Sequence, residues 1–139
     1  MKALYEAVVT SEGGRNGHVK SNDGFIDMKV ATPKEMGGAG NATNPEQLFG
    51  AGYAACFESA LQHVAQQRKN PLKNSKVVAK VQIGPTTTGG FQLAVLLEVY
   101  LPGYGMDEGK ILMELAHKVC PYSNATRNNI DVSLTLVEA

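Results

Sequence analysis

Asn44-Pro45-Glu46-Gln47-Leu48-Phe49-Gly50-Ala51-Gly52-Tyr53-Ala54-Ala55-Cys56-Phe57 opens the segment that decides the fold. It carries the clearest helix start in the chain. Asn44 is a strong N-cap residue and Pro45 suits the first helical position. Gln47 stands where a capping box wants Glu or Gln, and Glu46 complements the positive helix end. The helix is expected to run to about Gln67, with Asn70-Pro71 beyond its end. From Leu48 to Leu61 it is apolar on nearly every face and rich in Gly and Ala, which predicts a buried helix that other backbone approaches closely.

Working outward, residues 3–10, 18–20 and 25–30 read as short strands, with Asn22-Asp23-Gly24 as a hairpin signal between the last two. Residues 31–43 are loop material. Residues 77–83 alternate as a strand and residues 91–101 read as a longer strand, stopped by Pro102-Gly103. Residues 107–119 read as a second helix with Asp107 as cap and Ile111, Leu112, Leu115 and Val119 as its apolar stripe. Pro121 then reads as a residue beyond the end of that helix. Residues 130–137 alternate as a final strand. This order predicts one α+β domain over residues 1–139, with mostly antiparallel sheet around a buried central helix.

Composition narrows the function. The 139 residues carry 13 Lys+Arg and 13 Asp+Glu, and 43% are hydrophobic. Zero net charge argues against nucleic acid as the partner, because phosphate binding needs a basic footprint. No apolar run approaches the ~20 residues that span a bilayer, and the N-terminus has no signal-peptide pattern. A cytoplasmic protein with no membrane partner is expected. In that compartment two cysteines are seldom a permanent staple.

Cys56 lies inside the apolar helix and Cys120 at the end of the second. The plain reading of both is a small packed hydrophobe. Three chemistries compete with it. A zinc site from Cys56, His63, His117 and Cys120 is disfavoured. Cys56 and His63 stand roughly 10 Å apart along a helix, whereas ligands of one zinc lie within ~4 Å of each other. No metal is expected. A Cys-His hydrolase needs a base, and none of His18, His63 or His117 stands in a nucleophile–base motif. Redox chemistry would use both thiols, but burial raises a thiol pKa, so a fixed cation must offset it. Arg15, in the turn Gly13-Gly14-Arg15-Asn16-Gly17, and Glu46 are candidates for that cation and the carboxylate that holds it. Taken alone, each also fits a solvated loop arginine and an acid at a helix start.

Three stretches together carry a family likeness: Gly14-Arg15-Asn16-Gly17-His18-Val19, Asn44-Pro45-Glu46-Gln47-Leu48-Phe49 running to Ala54-Ala55-Cys56-Phe57, and Val119-Cys120-Pro121-Tyr122-Ser123-Asn124-Ala125-Thr126-Arg127. Their order and spacing resemble the organic hydroperoxide resistance branch of the Ohr/OsmC family along essentially the whole chain. The resemblance implies a two-cysteine, lipoyl-dependent peroxidase that reduces organic hydroperoxides. Cys56 would be the attacking thiolate, Cys120 its resolving partner, Arg15 the stabiliser of the thiolate and Glu46 the group orienting Arg15. It implies no bound cofactor, dihydrolipoamide or a lipoylated protein as reductant, and an intertwined homodimer with sites at the interface. With the apolar character of Leu48, Phe49, Tyr53 and Phe57, it implies a pocket for alkyl or fatty-acid peroxides. Gly50 and Asn128 depart from the expected alanine and glycine. The ten positions between Glu46 and Cys56 correspond to ~15 Å along a straight helix. That spacing favours a second subunit as the source of the Arg15–Glu46 pair over a helix kinked at Gly50 or Gly52. A peroxide sensor and a non-catalytic dimeric binding protein are the rival readings.

Overall fold

A computed structural model describes residues 1–138. They fall into two compact units, residues 1–48 and the chain from Phe49 onward.

The first unit holds an antiparallel sheet of β1 (Val9–Glu12), β2 (His18–Ser21) and β3 (Asp27–Lys29) in the order β1-β2-β3. Val9 faces Ser21 and His18 faces Lys29. The hairpin at Asn22-Asp23-Gly24 forms as expected. Asp23 Oδ1 accepts from Ser21 Oγ at 2.6 Å and from the Phe25 N–H at 3.1 Å, and Gly24 takes φ 79°. Two strand expectations need correction. The first strand begins at Val9, not residue 3, and the third shrinks to Asp27–Lys29, with Val30 forming an isolated parallel bridge to Thr43.

Helix α1 (Pro45–Gln67) has the expected bounds. Asn44 Oδ1 accepts the Gln47 N–H at 2.9 Å, so the cap is real. The reciprocal half of the capping box is absent, because the Gln47 side chain takes the Thr43 hydroxyl at 2.7 Å instead. The helix ends in a Schellman turn. Asn70 N–H donates to the Ala65 carbonyl and Lys69 N–H to that of Gln66, with Lys69 at φ 59°. Within a single chain its burial is one-sided. Tyr53, Phe57, Leu61 and Ala65 are sealed, whereas Ala51, Ala55 and Ser59 are exposed.

In the second unit, β4 (Lys76–Pro85), β5 (Phe91–Tyr100) and β6 (Val132–Val137) form a sheet in that order. β4 and β5 pair antiparallel over ten positions, Lys76 with Tyr100 through Pro85 with Phe91. β6 runs parallel to β5, with Leu97 facing Leu134. Parallel neighbours need a crossover, and α2 (Met106–Val119) and α3 (Pro121–Thr126) supply it. Gly105, not Asp107, caps α2. Its buried stripe is Gly109, Leu112, Met113 and Ala116, while Ile111 and Val119 are about half exposed. The stripe is rotated because Gly109 lets the helix close on β6; a Cβ there would collide with Leu136 Cδ2 at 2.6 Å. The core gathers Tyr53, Phe57, Leu61, Val95, Leu97, Val99, Leu112 and Cys120. Gly50 also has a packing role, since a Cβ on it would press Val81 Cγ2 at 3.3 Å. Asn128 adopts φ 62°, a conformation Asn tolerates better than most residues.

Candidate active site

In the first unit the glycine turn shapes itself around Arg15. Gly13 and Gly14 take φ 86° and 61° and turn the chain into a single 3-10 turn, Gly14–Asn16. Gly17 has no room for a side chain against the Glu12 carbonyl. Asn16 Oδ1 ties the turn to the following loop by accepting the Thr32 N–H at 3.1 Å. So braced, Arg15 meets Glu46, in the first turn of α1, fork to fork. Nη1 donates to Oε1 at 2.9 Å and Nη2 to Oε2 at 3.1 Å. The bidentate pair fixes the plane of the guanidinium, not merely its charge. Glu46 is the more covered partner, its side chain 12% exposed against 34% for Arg15.

In the second unit the two thiols meet. Both are free, Cys56 partly buried on α1 and Cys120 sealed between α2 and α3. Burial pushes the Cys56 thiol above its ordinary range. Cys120 raises it further, by charge and by a thiol–thiol hydrogen bond, and the Tyr122 backbone N–H acts in the opposite direction. Pro121 starts α3 where the sequence reading placed it beyond a finished helix, and Cys120 is both the last cap of α2 and the first of α3. That tight junction leaves the Tyr122 N–H unpaired within its own helix, near enough to Cys56 to favour its thiolate. Gly52 makes room for the Tyr122 phenol, with which a Cβ at that position would collide.

Around the thiols lies an aromatic and hydroxyl cluster. Phe49, Tyr53 and Tyr122 pack with ring centroids 5.6–6.0 Å apart. Tyr53 and Phe57 are fully sealed, at 0% exposure, so in this chain they are packing residues; Leu48 and Phe49 keep partial exposure. The Tyr53 hydroxyl bonds Ser123 Oγ at 2.9 Å and Thr126 Oγ1 at 3.1 Å, and His117 Nδ1 bonds the same Ser123 Oγ at 2.7 Å. Burial and the Arg127 charge hold the His117 pKa below its ordinary value. Arg127 itself donates to Asn124 Oδ1 and to the His117 carbonyl, where a cation suits the carboxyl end of α2. Sequence reasoning passed over Ser123 and Thr126. Their spacing of three, just after a proline able to start a helix, was the signal that both face one side of a short helix. His18 bonds Asp27, and His63 is exposed on α1. Among the described residues no group of three or more His, Cys, Asp or Glu is placed to hold a metal ion.

Comparison with known proteins adds a second line. Residues 38–135 match the family model described as OsmC-like protein. An organic hydroperoxide resistance protein from Xanthomonas axonopodis pv. citri is 51% identical over 137 residues, covering 97% of this chain and 96% of its own. The Bacillus subtilis organic hydroperoxide resistance protein OhrB is 42% identical, covering 96% of this chain and 98% of its own. The crystal structure of an organic hydroperoxide resistance protein from Elizabethkingia anophelis superposes with TM-score 0.95 at 50% identity, covering 100% of both chains.

Proposed function

Because the chain belongs to the OsmC-like family, with relatives near 50% identity named organic hydroperoxide resistance proteins, we propose that it is a thiol peroxidase that reduces organic hydroperoxides and protects against oxidative stress. The observation that carries this is the meeting of Cys56 and Cys120, distant in sequence, where Cys56 packs against the buried cluster that holds Cys120. The whole chain acts as one OsmC-like domain in the cytoplasm.

The cycle runs in three steps. The Cys56 thiolate attacks the distal peroxide oxygen and the O–O bond breaks. The departing alkoxide takes a proton and leaves as alcohol, while Cys56 becomes a sulfenic acid. The Cys120 thiol displaces hydroxide from that sulfur, forming a disulfide and water. A dithiol, dihydrolipoamide or a lipoylated protein, reopens the disulfide through a mixed disulfide and is itself oxidised to a disulfide. The protein needs no bound cofactor for this.

Arg15 lowers the Cys56 thiolate pKa and meets charge developing on the leaving oxygen, and Glu46 holds its fork. In a homodimer the pair from one subunit serves Cys56 of the other. Support for a second copy comes from what each unit leaves uncovered. In the first unit Leu4 is 101% and Tyr5 79% exposed. In the second, the small-residue face Ala51, Ala55 and Ser59 of α1 lies open. Leu48 and Phe49 give the alkyl chain an apolar wall, and Tyr53 and Phe57 back that wall from the core.

The test is peroxide consumption with cumene hydroperoxide and dihydrolipoamide. Multiple turnover is expected, abolished in Cys56→Ser and stalled after one equivalent in Cys120→Ser. A Cys56 that oxidises but never recycles with dihydrolipoamide, thioredoxin or glutathione would point to a sensor. A Cys56 inert to peroxide would sink the reading.

A further inference from the structure

One assignment of donors and acceptors lets every contact of the Ser123, Tyr53 and Thr126 hydroxyls form at once. Each of these side chains has one hydrogen to donate. Thr126 Oγ1 lies 3.2 Å from the Ser123 carbonyl, which can only accept, so the Thr126 hydrogen is spent there. The 3.1 Å contact between Tyr53 and Thr126 must then use the Tyr53 hydrogen. The 2.9 Å contact between Ser123 and Tyr53 must use the Ser123 hydrogen. What remains is the 2.7 Å contact between His117 Nδ1 and Ser123 Oγ, and only the imidazole N–H is left to fill it. The chain of donors therefore runs one way, from His117 through Ser123 and Tyr53 to Thr126 and back to the Ser123 backbone. Tyr53 and Ser123 are 0% exposed and Thr126 4%, so water does not substitute for a lost link.

This chain clamps α3 at both of its turns. It joins α1 through Tyr53 and α2 through His117 to two residues of a helix only six residues long, Pro121–Thr126. A helix so short does not hold its own shape. Its cap residue is Cys120, and its second residue, Tyr122, lays its phenol against Gly52 of α1, one turn from Cys56. We propose that His117, Ser123, Tyr53 and Thr126 are positioning residues for closure of the Cys56–Cys120 disulfide, and that they fix His117 as the Nδ1–H tautomer. The function rests on the peroxidase reading; the tautomer does not. In water the Nε2–H form is the usual one, so the prediction is a departure from the ordinary. The low proton affinity of His117 agrees with a ring that stays neutral and keeps that single hydrogen.

Two measurements decide it. Nitrogen-15 NMR of the native protein should show His117 protonated at Nδ1; an Nε2–H tautomer overturns the donor chain. Quenched-flow mass spectrometry should then separate Cys56 oxidation from disulfide closure in Tyr53→Phe and in the near-isosteric Thr126→Val. In Thr126→Val, oxidation should stay within about twofold of the unmodified protein, while in both variants closure slows by at least about tenfold, because small misplacements of reacting atoms are costly. Sulfinic Cys56 should then build up in excess peroxide. Thr126→Ser, which keeps the hydroxyl, should restore closure. Closure at the native rate in both Tyr53→Phe and Thr126→Val overturns the positioning role. Diamide-driven closure reads the same geometry without peroxide. A native protein inert to peroxide therefore refutes the peroxidase reading, while the diamide comparison still decides the positioning role.

Discussion

Cys56 shows how little a sulfur's reactivity depends on the sulfur. Desolvation and the Cys120 neighbour raise its pKa and the Tyr122 N–H only partly opposes them. A raised pKa means less thiolate at neutral pH, and the thiolate is the nucleophile. The proposed peroxidase therefore depends on a positive group, and the braced Arg15 fork is the one offered. In a Cys120→Ser background, the rate of Cys56 alkylation by iodoacetamide should rise with pH around a midpoint below the ~8.5 of a free cysteine. Arg15→Ala should move that midpoint above ~8.5, leaving the direction set by burial alone. Arg15→Lys should recover part of the charge effect but not the fork. A midpoint indifferent to Arg15 would remove it from the mechanism.

At the scale of elements, the start of α1 rests on one side chain. Asn44 Oδ1 holds the Gln47 N–H, and the Gln47 side chain gives nothing back, having gone to Thr43. Asn44→Ala should cost about 1 kcal/mol, read as a lower denaturant midpoint with an unchanged slope. A slope change would mean the cap also shapes the unfolded chain. Such local signals are what a sequence displays. The cap, the stop at Gln67 and the strands β4 and β5 were legible because each depends on neighbours in the chain. The face of α2 was not legible, since hydrophobicity favours Ile111 and Val119 while the choice is made by β6 closing on Gly109. Nor was α3, because a proline after a helix reads alike whether it ends one or begins the next. Residues 3–8 read as a strand from Tyr5, Ala7 and Val8, yet the β1–β2 ladder starts only at Val9. At the site, asking what a buried thiolate requires made Arg15 and Glu46 candidates, and the family resemblance singled them out. Ser123 and Thr126 did not follow, because a buried hydroxyl network has no compositional trace.

For the whole molecule, the proposed homodimer poses the question of which subunit's arginine would serve which cysteine. Arg15 and Glu46 are joined within one unit and Cys56 and Cys120 within the other. Both units expose apolar residues that a second copy would bury, Leu4 and Tyr5 in one and the alanine face of α1 in the other. Most homodimer interfaces are two-fold, so two copies would exchange the same groups in both directions. That exchange is testable without a structure of the complex. Arg15→Ala lacks the cation and Cys56→Ser lacks the nucleophile, so each protein alone should turn over cumene hydroperoxide on the order of 100-fold more slowly or not at all. Mixed under mild denaturant and refolded together, they form hybrid dimers. In each hybrid the intact Cys56 of one chain faces the intact Arg15 of the other. Random pairing leaves about a quarter of all sites complete, and activity should return to about that fraction. If arginine and cysteine of the same chain worked together, no hybrid would hold a complete site and mixing would restore nothing. A return of activity after mixing, absent when either protein is refolded alone, therefore assigns Arg15 to the partner's Cys56 and makes the dimer the smallest active unit.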